Sequence, residues 1–346
     1  MAPKTLKYPP RVNLAVRPTP LQYLPRASER WGRGKRLWIK RDDLTGSTLS
    51  GNKVRKLEFI AAHAQSGGYD TLITCGGIQS NHCRATALVA AQLGLQCHLL
   101  LRGDQPEELE GNYLLDQLAG ARISCYPAKR YFRELDALFE EWEAYYAQRG
   151  QRALAIPTGG SDGVGIWGYI AACEELSADF TEHGIPSANV VCASGSGGTQ
   201  AGLTLGVELH GLPATIWAVN VCDDEAYFID KVNEDMADVY ARYPDLPRVS
   251  AQPRVLDGYV GQGYAKASEA VFDLIAELTR LEGVVLDPVY TGKAFQGMIT
   301  ELDAGRFDDC EDLVFVHTGG VFGLFPQAGG FVGTETDAAV NDIATE

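Results

Sequence analysis

The 346-residue chain has no long hydrophobic run and no closely spaced pair of cysteines. Its apolar stretches, such as residues 85–95 and 154–156, fall well short of the roughly 20 residues that a helix needs to cross a bilayer. The eight cysteines include no pair separated by two residues and no spacing typical of metal ligands. We therefore expect no membrane span, no metal site, and cysteines that are reduced and mostly buried.

The chain is also poor in positive charge. Its 30 lysines and arginines against 45 aspartates and glutamates give a formal net charge of −15. A protein of this charge is repelled by nucleic acids and by anionic membrane surfaces, so neither is an expected partner. Segment 1–10 contains basic residues and prolines, and no apolar run or small-residue cleavage site follows it. This pattern predicts an unprocessed, cytoplasmic protein.

Short apolar runs alternate with helical patterns along most of the chain. The predicted strands are residues 37–39, 71–74, 97–101, 154–156, 189–193 and 215–221. The predicted helices begin near Lys53 and Asn81, cover residues 130–149 and 165–176, and follow Thr199. This alternation is typical of βαβ units with parallel sheets, and it indicates two α/β units. Residues 223–253 are predicted to be a less regular, acidic stretch.

A lysine follows a glycine turn in segment 50–57, SGNKVRKL. Neighbouring cations and loss of solvent lower the pKa of a lysine in such a place, and the neutral amine can form a Schiff base with an aldehyde. Lys53 is therefore a candidate catalytic residue. The alternative is that this segment is only the basic first turn of a helix.

A polar loop, CGGIQSNH at residues 75–82, follows a predicted strand and opens a helix. It places Ser80, Asn81 and His82 at the carboxyl end of a parallel strand, where α/β proteins bind ligands. Helix capping by Ser80 or Asn81 is the simpler alternative. Nothing places a base beside Cys75, so that thiol is expected to be buried and structural.

A glycine-rich loop, ASGSGGTQAG at residues 193–202, also lies between a strand and a helix. Its backbone N–H groups, its hydroxyls and the helix N-terminus together predict a phosphate site. The loop lacks the terminal lysine of a nucleotide P-loop, and neither the spacing nor the ribose-binding acid of a dinucleotide fold is present. The pattern therefore favours a phosphate that is held rather than transferred.

Two further segments, DPVYTGK at residues 287–293 and VHTGG at residues 316–320, follow apolar runs near the C-terminus. They supply Tyr290 as a candidate acid and uncharged hydroxyls from Thr291 and Thr318. Each segment could also be only a turn that contains glycine.

These five motifs, with PTPL at 18–21 and KRDD at 40–43, resemble the D-cysteine desulfhydrase and 1-aminocyclopropane-1-carboxylate deaminase family. The resemblance implies pyridoxal 5′-phosphate (PLP) as cofactor and the two-domain, tryptophan-synthase β-like α/β fold (fold type II). It implies a large domain of residues 1–46 and 165–346, a small domain of residues 47–164, and PLP in the cleft between them. Homodimers are usual in that family.

The resemblance also implies roles for individual residues. Lys53 corresponds to the Schiff-base lysine, and Asn81 to the residue that bonds the ring hydroxyl of the cofactor. The other residues expected to bind the cofactor are Asn52, the phosphate-binding Ser196, Gly197, Gly198 and Thr199, and either Thr291 or Thr318 at the pyridine nitrogen. The residues expected to surround the substrate are Ser80, Asn81, His82, Tyr264 and Tyr290. Ser80, Tyr264 and Tyr290 are expected to join Lys53 in catalysis.

The implied reaction is an α,β-elimination in which Lys53 removes the α-proton of a small amino acid and Tyr290 protonates or positions the leaving group. Cyclopropane deaminases typically have glutamate where this chain has Thr291, which favours D-cysteine as substrate, giving pyruvate, sulfide and ammonia. L-cysteate sulfo-lyase activity stays open as an alternative, because three features depart from the relatives and could reshape the pocket. They are Ala265 in place of a frequent glycine, the bulky pair Val321–Phe322, and the acids at 223–225. Ring opening of the cyclopropane amino acid stays open as well, and so does a non-catalytic PLP-binding protein.

Overall fold

The computed structural model describes residues 6–331 of the chain. Half of segment 1–10, on which the prediction of an unprocessed protein rests, therefore lies outside the described residues. The same is true of the last fifteen residues of the predicted large domain.

A six-stranded sheet forms the centre of the larger part of the molecule. Its strands, in spatial order, are β1 (Leu21–Tyr23), β2 (Arg36–Lys40), β10 (Asp312–Val316), β7 (Ala188–Ser194), β8 (Ala214–Asn220) and β9 (Val255–Leu256). All neighbours pair in parallel except β1 with β2. The strands are apolar on both faces because helices cover both faces of the sheet.

A second sheet has four strands, all parallel: β5 (Arg122–Tyr126), β4 (Gln96–Arg102), β3 (Thr71–Gly77) and β6 (Ala153–Ala155), in spatial order. These strands fall inside the range 47–164 expected for the small domain. The boundaries of that domain, at residues 47 and 164, stay a prediction.

Ten α-helices connect the described strands. They are α1 (Pro25–Trp31), α2 (Asn52–Ser66), α3 (Asn81–Leu93), α4 (Gly111–Leu118), α5 (Ala128–Ala147), α6 (Trp167–His183), α7 (Gly198–His210), α8 (Glu225–Arg242), α9 (Glu269–Glu282) and α10 (Thr291–Asp303). Parallel strands that follow one another in the chain need a crossover connection, and the helices provide it. The predicted α/β class with mostly parallel sheets is therefore confirmed.

The expectation of a less regular stretch at residues 223–253 is wrong, since α8 covers eighteen of these residues. Its buried face carries Phe228, Val232, Met236 and Val239, which recur at intervals of three and four residues. The many acidic residues lie between these positions and concealed the helical period. Asp224 caps the helix by accepting a hydrogen bond of 2.8 Å from the Tyr227 N–H.

Alternate residues of the large sheet enter two different cores. Leu37, Val191 and Phe315 face α9 and α10, whereas Trp38 and Val190 face α6 and α7. This two-residue alternation is the geometry of a strand buried on both sides. Packing of this kind holds the sheet rigid and leaves its carboxyl edge free to carry function.

The eight cysteines form no disulfide bond, and five of them are buried, as expected. Cys75 is fully buried, and burial raises the pKa of its thiol, which fits a structural role. Within residues 6–331, no helix is long and apolar enough to cross a membrane.

Candidate active site

A cavity of about 440 Å³ opens where the carboxyl ends of the two sheets meet. Gly77 ends β3, Arg102 ends β4, Ser194 ends β7 and Thr318 follows β10, and all four line the cavity. Ligands of parallel α/β folds bind at this edge, because the loops that follow the strands converge there. The motifs singled out in the sequence therefore come together at one place.

Lys53 reaches the cavity from the first turn of α2. The turn depends on Gly51, which has a φ of +94° and lies close to the Thr318 carbonyl oxygen. A Cβ at this position would lie 2.7 Å from that oxygen, so there is no room for one. The Asn52 N–H donates a hydrogen bond of 3.1 Å to the same oxygen. Loss of solvent lowers the pKa of the Lys53 amine to about 8, so far more of it is neutral at pH 7 than of an ordinary lysine.

Ser80 both caps a helix and lines the cavity. Its Oγ accepts a hydrogen bond of 3.2 Å from the Cys83 N–H at the start of α3. A Cβ on Gly76 would lie 2.5 Å from Ser80 Oγ, which explains the glycine before this loop. The capping alternative is thus realised without removing Ser80 from the site.

Asn81 and His82 are held by residues outside the loop. The Asn112 side-chain amide donates a hydrogen bond of 3.0 Å to Asn81 Oδ1, so the amide N–H groups of Asn81 remain available to a ligand. His82 Nε2 pairs with Thr74 Oγ1 at 2.8 Å, and burial holds the pKa of the imidazole well below its ordinary value. His82 is therefore neutral, and its buried Nδ1 has no partner among the described residues.

The glycine-rich loop leads into the N-terminus of α7. Gly197, at φ +82°, precedes the helix and has no side chain with which to cap its N–H groups. The Asn52 side-chain amide donates to Thr199 Oγ1 at 3.0 Å, and the buried Ser194 Oγ has no partner among the described residues. Free N–H groups, hydroxyls and a helix N-terminus are a suitable donor set for a phosphate.

Sequence reasoning missed two lysines and a glycine at this end of the cavity. The Lys56 amine donates to the Gly159 carbonyl oxygen at 3.0 Å and to Ser161 Oγ at 3.1 Å, and burial holds its pKa well below the ordinary value. Lys231 lines the cavity and forms an ion pair with Asp235. A Cβ on Gly159 would collide with Ser196 Oγ and would lie 3.5 Å from Lys53 Nζ. Lys56 could have been found from the sequence, because it lies one helical turn after Lys53.

The hydroxyls of Tyr264 and Tyr290 are hydrogen-bonded to each other in the wall of the cavity. Tyr264 belongs to the segment before α9, which the Lys293 ammonium holds through the carbonyl oxygens of Val260 at 2.7 Å and Gly263 at 2.8 Å. Burial raises the pKa of Tyr264 to about 12 and holds the pKa of Tyr290 well above its ordinary value. Both phenols are therefore protonated and can donate.

Thr318 lines the cavity, whereas Thr291 does not. The Thr291 hydroxyl accepts a hydrogen bond of 2.8 Å from the Asp287 N–H and donates one of 2.7 Å to Asp287 Oδ1, so it belongs to the start of α10. The geometry therefore favours Thr318 of the two candidates for the pyridine nitrogen. Gly198 also lies outside the lining, and its N–H donates to Ser161 Oγ at 3.2 Å.

The sequence departures expected to reshape the pocket contribute little to its wall. Ala265, Val321 and Phe322 are not among the lining residues, and the Phe322 ring instead lies 4.9 Å from the Arg84 guanidinium. Of the three acids at 223–225, only Asp223 lines the cavity.

The residues present fit PLP as the predicted cofactor. The loop before α7 suits its phosphate, the free amide of Asn81 suits its ring hydroxyl, and Thr318 is an uncharged partner for its nitrogen. The amine of Lys53, with its lowered pKa, suits its aldehyde. The buried Ser194 Oγ without a partner marks the place where a further acceptor is expected.

Comparison with known proteins agrees with this fit. Residues 12–319 match the family described as pyridoxal-phosphate dependent enzyme. A Thermotoga maritima protein named "Putative 1-aminocyclopropane-1-carboxylate deaminase" is 39% identical over 320 residues, which are 92% of this chain and 98% of that protein. The mitochondrial "Bifunctional D-cysteine desulfhydrase/1-aminocyclopropane-1-carboxylate deaminase" of Arabidopsis thaliana is 38% identical in an alignment of 338 positions that covers 92% of this chain and 83% of that protein.

Solved structures agree as well. A crystal structure described as that of the ACC deaminase homologue superposes with a TM-score of 0.83 at 36% identity and covers 93% of this chain and 95% of the other. A threonine deaminase structure, at 21% identity and a TM-score of 0.62, shares the fold. The predicted fold type, cofactor and enzyme class are confirmed, and the chain belongs to the family of pyridoxal-phosphate dependent enzymes.

Proposed function

We propose that this enzyme catalyses an α,β-elimination on a small amino acid with a sulfur leaving group, with D-cysteine as the first candidate. The observation that carries the proposal is the composition of the cavity wall. It combines a lysine whose pKa is lowered to about 8 with a pair of hydrogen-bonded phenols, all in contact with one space. A base and a proton donor in one cavity are what an elimination needs.

The cofactor would be held by residues of the cavity wall. The loop residues Ser196, Gly197 and Thr199 would bind its phosphate, with Lys231 supplying positive charge nearby and the Lys56 amine holding Ser161 beside the loop. Asn81 would bond its ring hydroxyl and Thr318 its nitrogen. When bound, PLP withdraws electrons from the substrate α-carbon, and an uncharged partner at the nitrogen makes that withdrawal milder than a carboxylate would.

The chain's own residues would then act on the substrate. The N–H groups and hydroxyl at the start of α3, around Ser80, would hold the α-carboxylate. Lys53 would take the α-proton as a neutral amine and hold it as an ammonium. The electron pair of the Cβ–S bond would leave with sulfur, and Tyr290, supported by Tyr264, would position that sulfur or protonate it. Hydrolysis of the remaining fragment would give pyruvate and ammonia.

Both relatives are named for 1-aminocyclopropane-1-carboxylate deamination, and one also for D-cysteine desulfhydration. The glutamate typical of cyclopropane deaminases is replaced here by Thr291, whose hydroxyl bonds to Asp287 and does not line the cavity. The preference for the desulfhydrase reaction therefore rests on the family resemblance and not on a contact of Thr291 with the substrate. L-cysteate, which would release sulfite, and the cyclopropane amino acid are the alternatives within this class. A non-catalytic PLP-binding protein is the alternative outside it, and the retained Ser80, Tyr264 and Tyr290 argue against that alternative.

The test is to record the visible spectrum of the purified protein and of Lys53→Ala, and to measure formation of 2-oxo acid. The substrates are D-cysteine, L-cysteine, both enantiomers of cysteate, and 1-aminocyclopropane-1-carboxylate. We expect a visible band that requires Lys53 and a 2-oxo acid from D-cysteine. A visible band without turnover of any of these compounds would overturn the proposed reaction.

Three further proposals concern the whole protein. We propose a homodimer, a cytoplasmic location, and a small domain bounded by residues 47 and 164. The four parallel strands between residues 71 and 155 support that division. Light scattering during gel filtration tests the dimer, and a molar mass of one chain, 37.5 kDa, would contradict it.

A further inference from the structure

Arg102 is a cation in the cavity wall to which the proposed reaction assigns no task. It is the last residue of β4, where it pairs in register with Gly77 of β3. A Cβ on Gly77 would lie 3.7 Å from Arg102 Nη2 and 3.9 Å from Tyr264 Cε1. The guanidinium therefore lies beside the polar loop that begins at Gly77 and beside the tyrosine pair.

Three aromatic rings surround the Arg102 guanidinium. Its central carbon lies 4.8 Å from the ring centre of Phe132, 5.2 Å from that of Tyr264 and 5.8 Å from that of Tyr131. Such contacts fix the orientation of a guanidinium but do not use its N–H donors, which lie in its plane. Among residues 6–331, no carboxylate forms a salt bridge with Arg102, and no acceptor receives a hydrogen bond from its side chain.

The other cations around the cavity have partners or tasks. Lys231 is paired with Asp235, and Lys56 donates to Gly159 and Ser161. Lys53 is the residue proposed to act on the cofactor and the substrate. Of the cations in the described part of the lining, Arg102 presents unused donors to the cavity. The guanidinium of Arg102 is always charged and has five N–H donors, so an anion in the cavity would form stronger hydrogen bonds with it than water does.

Charge in the cavity also favours an additional anion. Although the whole chain carries a net charge of −15, Asp223 is the one carboxylate among the described lining residues, against Lys53, Arg102 and Lys231. The phosphate of the cofactor and the α-carboxylate of the substrate already have sites at α7 and α3. When these two anions are bound at α7 and α3, the N–H donors of Arg102 still have no partner.

We propose that Arg102 binds the β-substituent of the substrate as an anion, so that the enzyme prefers amino acids with a full negative charge there. A thiol that ionises, as in D-cysteine, and a sulfonate, as in cysteate, both present such a group, whereas an uncharged methyl or hydroxyl does not. This inference rests on the proposed function. In the elimination, a sulfonate departs with the Cβ–S electron pair as sulfite, whereas a thiolate departs with that pair and takes a proton from the Tyr290 hydroxyl to leave as hydrosulfide, so in each case Arg102 faces an anion.

The experiment uses the holoenzyme and follows the visible spectrum of the bound cofactor while an amino acid is added. Alanine, serine and cysteate are titrated, each as both enantiomers, because they differ mainly in the β-substituent. The variants are Arg102→Met, which removes the charge, and Arg102→Lys, which keeps it. Arg122→Met is the matched control, since the Arg122 guanidinium also lies 4.5 Å from an aromatic ring centre, that of Trp142, but outside the cavity.

We expect the wild type to bind cysteate more tightly than alanine and Arg102→Met to weaken cysteate binding about 10- to 100-fold, the range for a charge-assisted hydrogen bond. Alanine binding should be unchanged in that variant, and Arg102→Lys should recover part of the loss. Arg122→Met should bind both compounds as the wild type does.

Two outcomes would overturn the proposal. Equal weakening of alanine and cysteate in Arg102→Met would mean that Arg102 binds the α-carboxylate or supports the fold. Unchanged cysteate binding would mean that Arg102 contacts no anion. Failure of the proposed function is a separate result: the titration would still distinguish cysteate from alanine, but none of the substrates would yield a 2-oxo acid.

Discussion

The hydroxyl groups of Tyr264 and Tyr290 share a hydrogen bond, with their ring planes at 71° and ring centres 5.8 Å apart. The two residues come from different elements, one from the segment before α9 and one from the start of α10. Because each hydroxyl holds the other, the pair presents one proton donor in a defined position. Raised pKa values keep both phenols protonated throughout the neutral range.

We expect Tyr290→Phe to lower kcat for the elimination about 100-fold, the lower end of the effect of a positioned acid. Tyr264→Phe should have a smaller effect, and the double variant should be no slower than Tyr290→Phe, because the two hydroxyls act as one unit. Steady-state kinetics of 2-oxo acid formation would measure this. Tyr259→Phe is the control, since its hydroxyl bonds to Glu301 and not to the cavity. Equal kcat values for Tyr290→Phe and the wild type would remove the tyrosine from the reaction.

Thr318→Val and Thr291→Val should separate the two candidates for the pyridine nitrogen. Thr318→Val should shift the visible band of the bound cofactor and leave the folded protein nearly as stable, because its hydroxyl faces the cavity. Thr291→Val should leave the band in place and destabilise the protein by about 1–2 kcal/mol, because it removes a helix-starting bond to Asp287. Absorbance spectra and urea unfolding measure the two effects. A spectral shift in Thr291→Val with none in Thr318→Val would reverse the assignment.

The lowered pKa of Lys53 predicts how fast the apoprotein captures its cofactor. Because only the neutral amine attacks the aldehyde, the rate constant should rise with pH and level off above about pH 8. A lysine with an ordinary pKa would continue to gain up to about pH 10.4. Recovery of the visible band after mixing apoprotein with PLP gives this rate. A rate constant that still climbs between pH 9 and pH 10 would contradict the lowered pKa.

The same pKa shift predicts a stability effect. Between pH 8 and its ordinary pKa, Lys53 is protonated in the unfolded chain but not in the folded one, so stability rises with pH in that window. Below pH 8 the folded apoprotein bears the whole penalty. Lys53→Met should therefore stabilise the apoprotein at pH 7 by about 1–3 kcal/mol and flatten its stability between pH 8 and pH 10. Urea unfolding across this range measures both changes, and a destabilised variant would refute the prediction.

Ala265 has a left-handed backbone, with φ at +60°, directly after Tyr264. A non-glycine residue in that region is strained by about 1–2 kcal/mol, and replacing it with glycine removes this strain. Part of the resulting gain in stability is offset, because glycine has greater conformational freedom in the unfolded chain. We expect Ala265→Gly to stabilise the protein by about 0.5–1 kcal/mol. Ala267→Gly, two residues further on and without a positive φ, should destabilise it by a similar amount. Urea unfolding compares the two, and stabilisation by both would contradict this explanation.

Most of the α/β pattern could be predicted from the sequence, because strand and helix periods are local properties. The helix α8 could not, since its apolar positions are few and acidic residues surround them. Among the candidate site residues, Lys53, Ser80 and Thr199 were found because glycine turns and helix starts have recognisable local signatures. The Thr291 hydroxyl bonds to Asp287, four residues earlier. Thr318 instead lines the cavity, and that placement is a property of the tertiary structure.

The sequence by itself predicted the parallel α/β class, the candidate phosphate loop before α7 and the candidate lysine, because each is encoded in a few neighbouring residues, whereas the cofactor was implied by the family resemblance that the five motifs carry together. Only the tertiary structure decided that Gly159, Lys231 and Arg102 belong to the same cavity. These residues come from three separate segments, and nothing local to any of them reports the others. Their meeting follows from the way two parallel sheets direct their carboxyl ends toward a common space.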